Sequence, residues 1–166
     1  MNPNLSKHFT LGEATRSQTA KRLGIDNTPS EEQIENLKAI AEAIFEPCRT
    51  FVGKRLAVNS AYRGQALNKA VKGSPTSDHC RGAALDMDCD TYGGSNRDLF
   101  LFIVDNLEFG QLIWEFGDEP NASRDAKPDW VHCSYYLDRP NKKQVLQAYR
   151  INGKTRYKTW IDPRGL

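Results

Sequence analysis

The chain has 166 residues, of which 39% are apolar and 27% charged, the composition of an ordinary globular domain with a sizeable core. Its 23 basic and 21 acidic side chains leave a net charge of only +2, so bulk charge indicates neither a nucleic-acid nor a membrane partner. The charges are unevenly placed, because residues 86–129 hold eleven acidic and three basic side chains while residues 139–166 hold eight basic and one acidic. This asymmetry indicates a cation site followed by a basic flank.

The N-terminal sequence MNPNLSKHFTLGEATRSQ has no apolar segment of signal-peptide length, and no later segment approaches the length of a membrane span. We therefore expect no signal peptide, no membrane insertion and a protein that stays in the cytoplasm of the cell that makes it. The four cysteines include no C-x-x-C pair. Without a secretory signal, we expect them to be buried thiols rather than disulfides.

Helical patterns dominate the first third of the chain. Thr10 and Glu13 have the spacing of a capping box and predict a helix that reaches about Leu23, where Gly24 ends it. A longer helix is predicted after TPSEEQ, with a kink or break near Pro47. Its apolar stripe recurs at steps of three and four residues and consists of Ile34, Leu37, Ala41, Ile44, Cys48 and Phe51.

Strand patterns dominate the rest. RLAVNSAYR, GAALDMD, QLIWEF and DWVHCSYY predict four strands, with a short helix over residues 66–71 and another that begins at Ser95. QVLQAYRINGKTRYKTW predicts a hairpin that turns at Asn152-Gly153. We expect a single α+β domain over residues 1–166, in which N-terminal helices (1–54) pack on a small, mostly antiparallel sheet. Residues 55–137 would form the core around the site, and residues 138–166 a basic hairpin.

A candidate metal site is formed by His79, Asp86 and His132. Zinc accepts imidazole nitrogen and carboxylate oxygen, and a catalytic zinc site uses three protein ligands and leaves one position open. A bend at Gly82 would bring His79 and Asp86 together, and His132 would come from a neighbouring strand. Spacing alone leaves an alternative open, in which the histidines are surface or core residues and the aspartates from Asp86 to Asp90 line a solvated edge.

Three segments together resemble a known family. SDHCRGAALD matches the pattern S-x-H-x-x-G-x-A-x-D and resembles the zinc D-Ala-D-Ala peptidases, whose fold is shared by the hedgehog signalling domain. That family includes bacterial D,D-carboxypeptidases, D,D-dipeptidases and phage L-alanyl-D-glutamate endopeptidases. SAYRGQALN looks like its S-x-Y-R segment and WVHCS like its second-histidine strand, and all three segments stand in family order. The N-terminal LSKHFTLGEATRSQTAKRLGIDNTPS also resembles phage and bacterial members.

The resemblance implies one zinc ion (Zn2+), bound by His79, Asp86 and His132. It also implies that Arg63 holds a substrate carboxylate or carbonyl, a role that suits the planar fork of a guanidinium. Three residues could orient substrate or ligands, although packing and capping explain them equally well: Ser60, Tyr62 and Ser77. Trp130 stands where some relatives carry a histidine that stabilises the transition state, and we expect it to wall the cleft or stack on a substrate.

Two carboxylates are candidates for the general base that takes a proton from water. Asp129 precedes His132 by three residues, as in the E-x-x-H or D-x-x-H pattern of several members. Glu115 ends QLIWE, which looks like the strand that carries a glutamate in the hedgehog-like branch. Positions 129 and 132 face opposite ways on regular extended backbone, so we favour Glu115 and keep Asp129 as the alternative.

The resemblance therefore implies a zinc peptidase that hydrolyses peptidoglycan stem peptides, of the D-Ala-D-Ala carboxypeptidase or L-Ala-D-Glu endopeptidase type. Such an enzyme would be a phage endolysin or a related hydrolase that acts on the wall after release, or a virion-associated one. The alternative is a catalytically inactive, zinc-containing module that binds cell wall. The basic C-terminal segment could attract anionic wall polymers, and we do not expect nucleic acid to be its partner.

Overall fold

A six-stranded sheet with the strand order β1-β2-β4-β3-β5-β6 forms the frame of the protein. The computed structural model describes residues 3–165. The strands are β1 (Ala57–Ser60), β2 (Ala84–Asp88), β3 (Gln111–Glu115), β4 (Trp130–Ser134), β5 (Gln144–Ile151) and β6 (Lys154–Thr159). Only β3 and β5 pair in parallel, and the other neighbours among these strands are antiparallel. The predicted α+β fold with a mostly antiparallel sheet is confirmed.

The helices are α1 (Leu11–Thr15), α2 (Gln18–Leu23), α3 (Glu31–Ile40), α4 (Glu46–Val52), α5 (Gln65–Ala70) and α6 (Asn96–Asn106). Short 3₁₀ turns lie at Asp78–Arg81 and Asp90–Tyr92. Within residues 3–165, no helix combines the length and the apolar character that a membrane crossing requires.

The first predicted helix is in fact two helices. Thr10 begins α1 with the predicted capping box, and Gly24 ends α2 with a φ of 64°. Between them, Arg16 has extended backbone and the Ser17 hydroxyl accepts a hydrogen bond from the backbone N–H of Ala20. The prediction of one continuous helix was wrong because Ser17 is the N-cap of a second helix.

The second predicted helix is continuous but changes its winding before Pro47. A π-helical turn, Ala41–Phe45, joins α3 to α4, and the N–H of Glu46 donates to the carbonyl of Ala41. Proline crowds the carbonyl four residues earlier, and the wider turn relieves that contact without breaking the helix. The predicted stripe is buried from Leu37 to Cys48. At its two ends the stripe is less buried: Ile34 is partly buried, and Phe51 is exposed and stacks on Phe102 with ring centroids 4.3 Å apart.

The two faces of the sheet have different tasks because side chains alternate along each strand. One face packs against the helices through six fully buried side chains, Leu85, Met87, Leu112, Trp114, Val131 and Cys133. The four cysteines are free and buried, as expected from the sequence. The alternate positions, which include Asp86 and His132, lie on the opposite face.

The predicted hairpin is confirmed. Asn152 and Gly153 connect β5 to β6 with φ values of 50° and 73°, as a tight type I′ turn requires. Because β5 pairs with β3, the hairpin extends the sheet beyond β3 and forms one side of the polar face.

Candidate metal centre

Strand register brings the predicted ligands together. Asp86 on β2 lies directly opposite His132 on β4, and His132 lies opposite Ile113 on β3. Directly paired residues point to the same face, with Cβ atoms about 5 Å apart. The next residue of β3 on this face is Glu115, which lies opposite Trp130. The face therefore holds a histidine, an aspartate and a glutamate on three adjacent strands.

His79 enters this face from the 3₁₀ turn that precedes β2. The Ser77 hydroxyl caps the turn by accepting from the N–H of His79 at 3.3 Å, so the structure gives Ser77 a capping role. The turn ends at Gly82, whose φ is +70° and where a Cβ would lie 2.6 Å from the carbonyl of Gln33. The glycine of the motif is therefore required by both backbone conformation and close packing.

The ring of His79 is held in one orientation. Its Nδ1 lies 2.6 Å from the carbonyl oxygen of Ala61, which can only accept, so Nδ1 carries the proton. The remaining nitrogen, Nε2, then points to Asp86 Oδ2 at 3.2 Å. Metal-binding histidines commonly have such a backbone partner, because it fixes the tautomer that leaves the other nitrogen free to ligate.

Asp86 lies between the two imidazoles. Its other oxygen, Oδ1, is 2.9 Å from His132 Nδ1. Burial alone would raise the pKa of Asp86, but His79 and His132 hold it well below its usual range. Burial has the opposite effect on a histidine and alone would lower the pKa of His132, but the Asp86 carboxylate raises it.

The donor set fits a zinc ion. One potential ligand atom from each of His79, Asp86 and His132 lies within 4.8 Å of the others. Both histidines are buried, and two imidazoles with one carboxylate form a ligand set found in catalytic zinc sites. These three residues could therefore hold a metal and leave a coordination position open.

A hydrogen-bonded network fastens the 3₁₀ turn to β4. The Tyr136 hydroxyl donates to Asp78 Oδ2 at 2.6 Å and accepts from the Ser134 hydroxyl at 2.9 Å. Burial and the contact with Asp78 raise the pKa of Tyr136 to about 12, so the phenol remains a donor at neutral pH. The sequence reasoning missed this network, although Asp78 adjoins one ligand and Tyr136 follows the strand of another.

Glu115 is buried next to the metal-ligand group, with 8% of its surface exposed. Burial raises its pKa to about 7. The positive charges of His132, Arg150 and Arg63 oppose this shift, and the negative charge of Asp86 adds to it. A carboxylate with a pKa near neutrality is well matched to accepting and returning a proton.

Asp129 has a different environment from Glu115. Its side chain is exposed, and it precedes β4 at a position where its backbone N–H donates to the carbonyl of Glu115 at 3.0 Å. The structure thus brings Glu115 to the face that carries His132 and leaves the Asp129 side chain at the surface. Trp130, opposite Glu115, is half-buried and contacts the ring of Phe116 edge-on, with centroids 5.4 Å apart.

Arg63 approaches the centre from the β1 side. Its backbone N–H donates to the carbonyl of His79 at 3.1 Å, and its side-chain Nε is buried without a hydrogen-bond partner among the described residues. With Ser60 and Tyr62 it lines a cavity of about 420 Å³, which is separate from the metal-ligand group because neither the three ligands nor Glu115 line it. Ser60 also lies opposite Asp86. The predicted S-x-Y-R segment is therefore adjacent to the predicted ligands.

Asn27 anchors the segment that carries Arg63, and the sequence reasoning missed it. Its side-chain NH2 donates to the carbonyls of Thr15 and Tyr62 at 2.9 and 3.2 Å, and its Oδ1 accepts from Gly64 N–H at 2.8 Å. Tyr62 is buried and its N–H donates to the carbonyl of Ala14 at 2.9 Å. One amide thus connects the N-terminal helices to the edge of the site.

The fold and this group of side chains define a candidate metal-dependent peptidase. The family model described as Peptidase M15 matches residues 7–111, which is more than half of the chain. The protein belongs to this family of zinc-dependent, D-Ala-D-Ala carboxypeptidase-like enzymes, and the resemblance found in the sequence is confirmed. A comparison with curated proteins gives no match.

The family match covers only part of the site. It includes Arg63, His79 and Asp86, whereas Glu115 and His132 lie beyond residue 111. The pairing of β4 with β2 and β3 is what places these two residues beside the others.

Proposed function

We propose that the protein is a zinc-dependent peptidase that hydrolyses peptide bonds in the stem peptides of peptidoglycan. The observation that carries this proposal is the buried Glu115 carboxylate beside a buried His-Asp-His group. When bound by His79, Asp86 and His132, a zinc ion supplies Lewis-acid chemistry toward the scissile carbonyl and toward water. A site of this kind transfers the acyl group directly to water, without a covalent acyl-enzyme intermediate.

Glu115 has the proton-transfer role in this mechanism. It accepts the proton of the attacking water and then donates it to the leaving amine, so that the carboxylate is regenerated in each cycle. Its pKa of about 7 allows both steps near neutral pH. Asp129 is the less suitable base because its side chain is exposed.

Arg63 supports the choice of substrate. Stem peptides are rich in carboxylates, and a guanidinium binds a carboxylate through two parallel hydrogen bonds. Arg63 is half-buried, and its backbone N–H donates to the carbonyl of His79, so its segment adjoins the metal-ligand group, which supports this role. Both a D-Ala-D-Ala carboxypeptidase and an L-Ala-D-Glu endopeptidase would use this arginine.

The setting of the activity is the bacterial cell wall. A lytic enzyme of the phage endolysin type, which reaches the wall after release from the producing cell, accords with the family resemblance. The basic hairpin, with Lys154, Arg156 and Lys158 on an exposed strand, would add attraction to anionic wall polymers.

Digestion of defined muropeptides tests the proposal. The zinc-loaded protein is incubated with purified stem peptides with and without a chelator, and the fragments are identified by mass spectrometry. We expect cleavage of one type of bond that stops with the chelator and returns when zinc is restored. A protein that binds zinc and cell wall but releases no new amino termini from any wall type is the inactive binding module instead.

A further inference from the structure

Tyr157 lies in the same row of the sheet as Glu115. Glu115 on β3 is paired with Ala148 on β5, and Ala148 is paired with Tyr157 on β6. Residues in register point to the same face, so Tyr157 lies on the face of the metal-ligand group. Two strand spacings separate the backbones of Tyr157 and Glu115 by about 10 Å. The only side chain between them in this row is the single methyl group of Ala148.

Register and charge both put Tyr157 beside the site. In its row, no side chain longer than the methyl group of Ala148 separates it from Glu115. Burial raises the pKa of Tyr157, and so do the negative charges of Glu115 and Asp86.

Two neighbouring side chains on this side of the site pack against the ring of Phe116. The guanidinium of Arg150 lies 4.2 Å from the centre of the Phe116 ring, and Trp130 contacts the same ring. Tyr157 is 54% exposed. Among residues 3–165, its hydroxyl has no hydrogen-bond partner. Its hydroxyl is thus available to a bound substrate.

We infer that Tyr157 is a further catalytic residue, whose hydroxyl donates a hydrogen bond to the oxygen of the scissile carbonyl as that carbon becomes tetrahedral. This inference rests on the proposed peptidase function. The hydroxyl keeps its proton throughout. Its hydrogen bond stabilises the negative charge that develops on the oxygen and is broken when the carbonyl reforms. Tyr157 would act from the hairpin side, across the site from Arg63.

The test compares Tyr157→Phe with Tyr149→Phe. Tyr149 is on the same hairpin but on the opposite face, where Lys158 Nζ lies 5.4 Å from the centre of its ring, so it is a matched control. Each variant loses one oxygen atom. The measurements are zinc content, kcat and KM on a defined muropeptide, and affinity for a phosphinate pseudopeptide that mimics the tetrahedral state.

For Tyr157→Phe we expect kcat to fall about 100-fold, with KM changed less than about twofold and zinc content unchanged. Affinity for the phosphinate should fall by a comparable factor, because that ligand resembles the transition state. Tyr149→Phe should match the unaltered protein in every measurement.

An active wild type whose Tyr157→Phe variant keeps its kcat and its phosphinate affinity overturns the assignment of Tyr157 and leaves the proposed function intact. A raised KM with unchanged kcat also overturns it, since the hydroxyl would then bind substrate and transition state equally. A zinc-loaded wild type that neither cleaves muropeptides nor binds the phosphinate overturns the proposed function, and the role of Tyr157 with it.

Discussion

The Nε2 atom of His79 lies 3.2 Å from Oδ2 of Asp86, and the opposite nitrogen of the same ring is fixed by a backbone carbonyl. This relationship orients a ligand before any metal binds. It depends on the turn that carries His79, on the strand that carries Asp86 and on the glycine between them, and each of these can be altered separately.

Zinc should stabilise the folded protein through this group. The metal binds the assembled ligands more tightly than the unfolded chain, so the thermal midpoint should rise with zinc concentration. Asp86→Asn should abolish most of that rise, whereas Asp125→Asn, in an exposed loop, should retain it. Differential scanning calorimetry measures both, and an equal response of the two variants would show that Asp86 is not a ligand.

Gly82→Ala should destabilise the turn that presents His79. A Cβ at this position would lie 2.6 Å from the carbonyl of Gln33 on a backbone with a φ of +70°. Gly153→Ala is the matched control, because its φ is +73° and nothing lies within 4 Å of the added atom. Urea unfolding should show a loss of about 1–2 kcal/mol for the control, from backbone strain alone, and a larger loss for Gly82→Ala. Equal losses of unfolding free energy in the two variants would mean that the backbone around Gly82 shifts enough to accommodate the added methyl group.

Tyr136→Phe should weaken zinc binding without removing a ligand. The variant loses the 2.6 Å hydrogen bond to Asp78 and leaves that carboxylate with fewer partners beside His79. Outer hydrogen bonds of this kind contribute about tenfold or more to metal affinity. Competition with a chromogenic chelator measures the dissociation constant, and an unchanged value would show that the network does not position His79.

The metal-free protein should lose stability as the pH rises toward neutrality. Because burial raises the pKa of Glu115 from 4.5 to about 7, the folded state holds this proton more tightly than the unfolded state. This contribution is therefore fully present below pH 4.5 and is lost as the pH rises through about 7, with a total of about 3 kcal/mol.

Glu115→Gln separates this effect from the titration of His132 and Asp86. The variant carries no ionisable group at position 115, so its stability should fall less between pH 5 and 8 than that of the unaltered protein, as measured by urea unfolding in the presence of a chelator. Parallel pH profiles for the two proteins would indicate that Glu115 is solvated rather than desolvated.

The sequence was informative wherever a local pattern determined the structure. The capping box at Thr10, the Asn152-Gly153 turn and the alternation along the strands follow from short-range rules. The break at Ser17 was not predicted, since a helical pattern continues through it. Near Pro47 a kink or break was predicted, and the helix instead accommodates the proline with a π-helical turn.

For the site, the motif around His79 indicated the residues but not their surroundings. The desolvation of Glu115 and the exposure of Asp129 depend on strand pairing between distant segments, which single-sequence reasoning cannot supply. Asn27 and Tyr136 were missed for the same reason, because their partners lie 35 and 58 residues away along the chain.

The most direct test of the central claim compares turnover and zinc content in the unaltered protein, in Glu115→Gln and in Glu108→Gln, a variant of an exposed glutamate in the loop before β3. If Glu115 transfers the proton, Glu115→Gln retains one zinc ion per chain but hydrolyses muropeptides at least about 100-fold more slowly, while Glu108→Gln matches the unaltered protein. Undiminished hydrolysis by zinc-loaded Glu115→Gln would contradict the account.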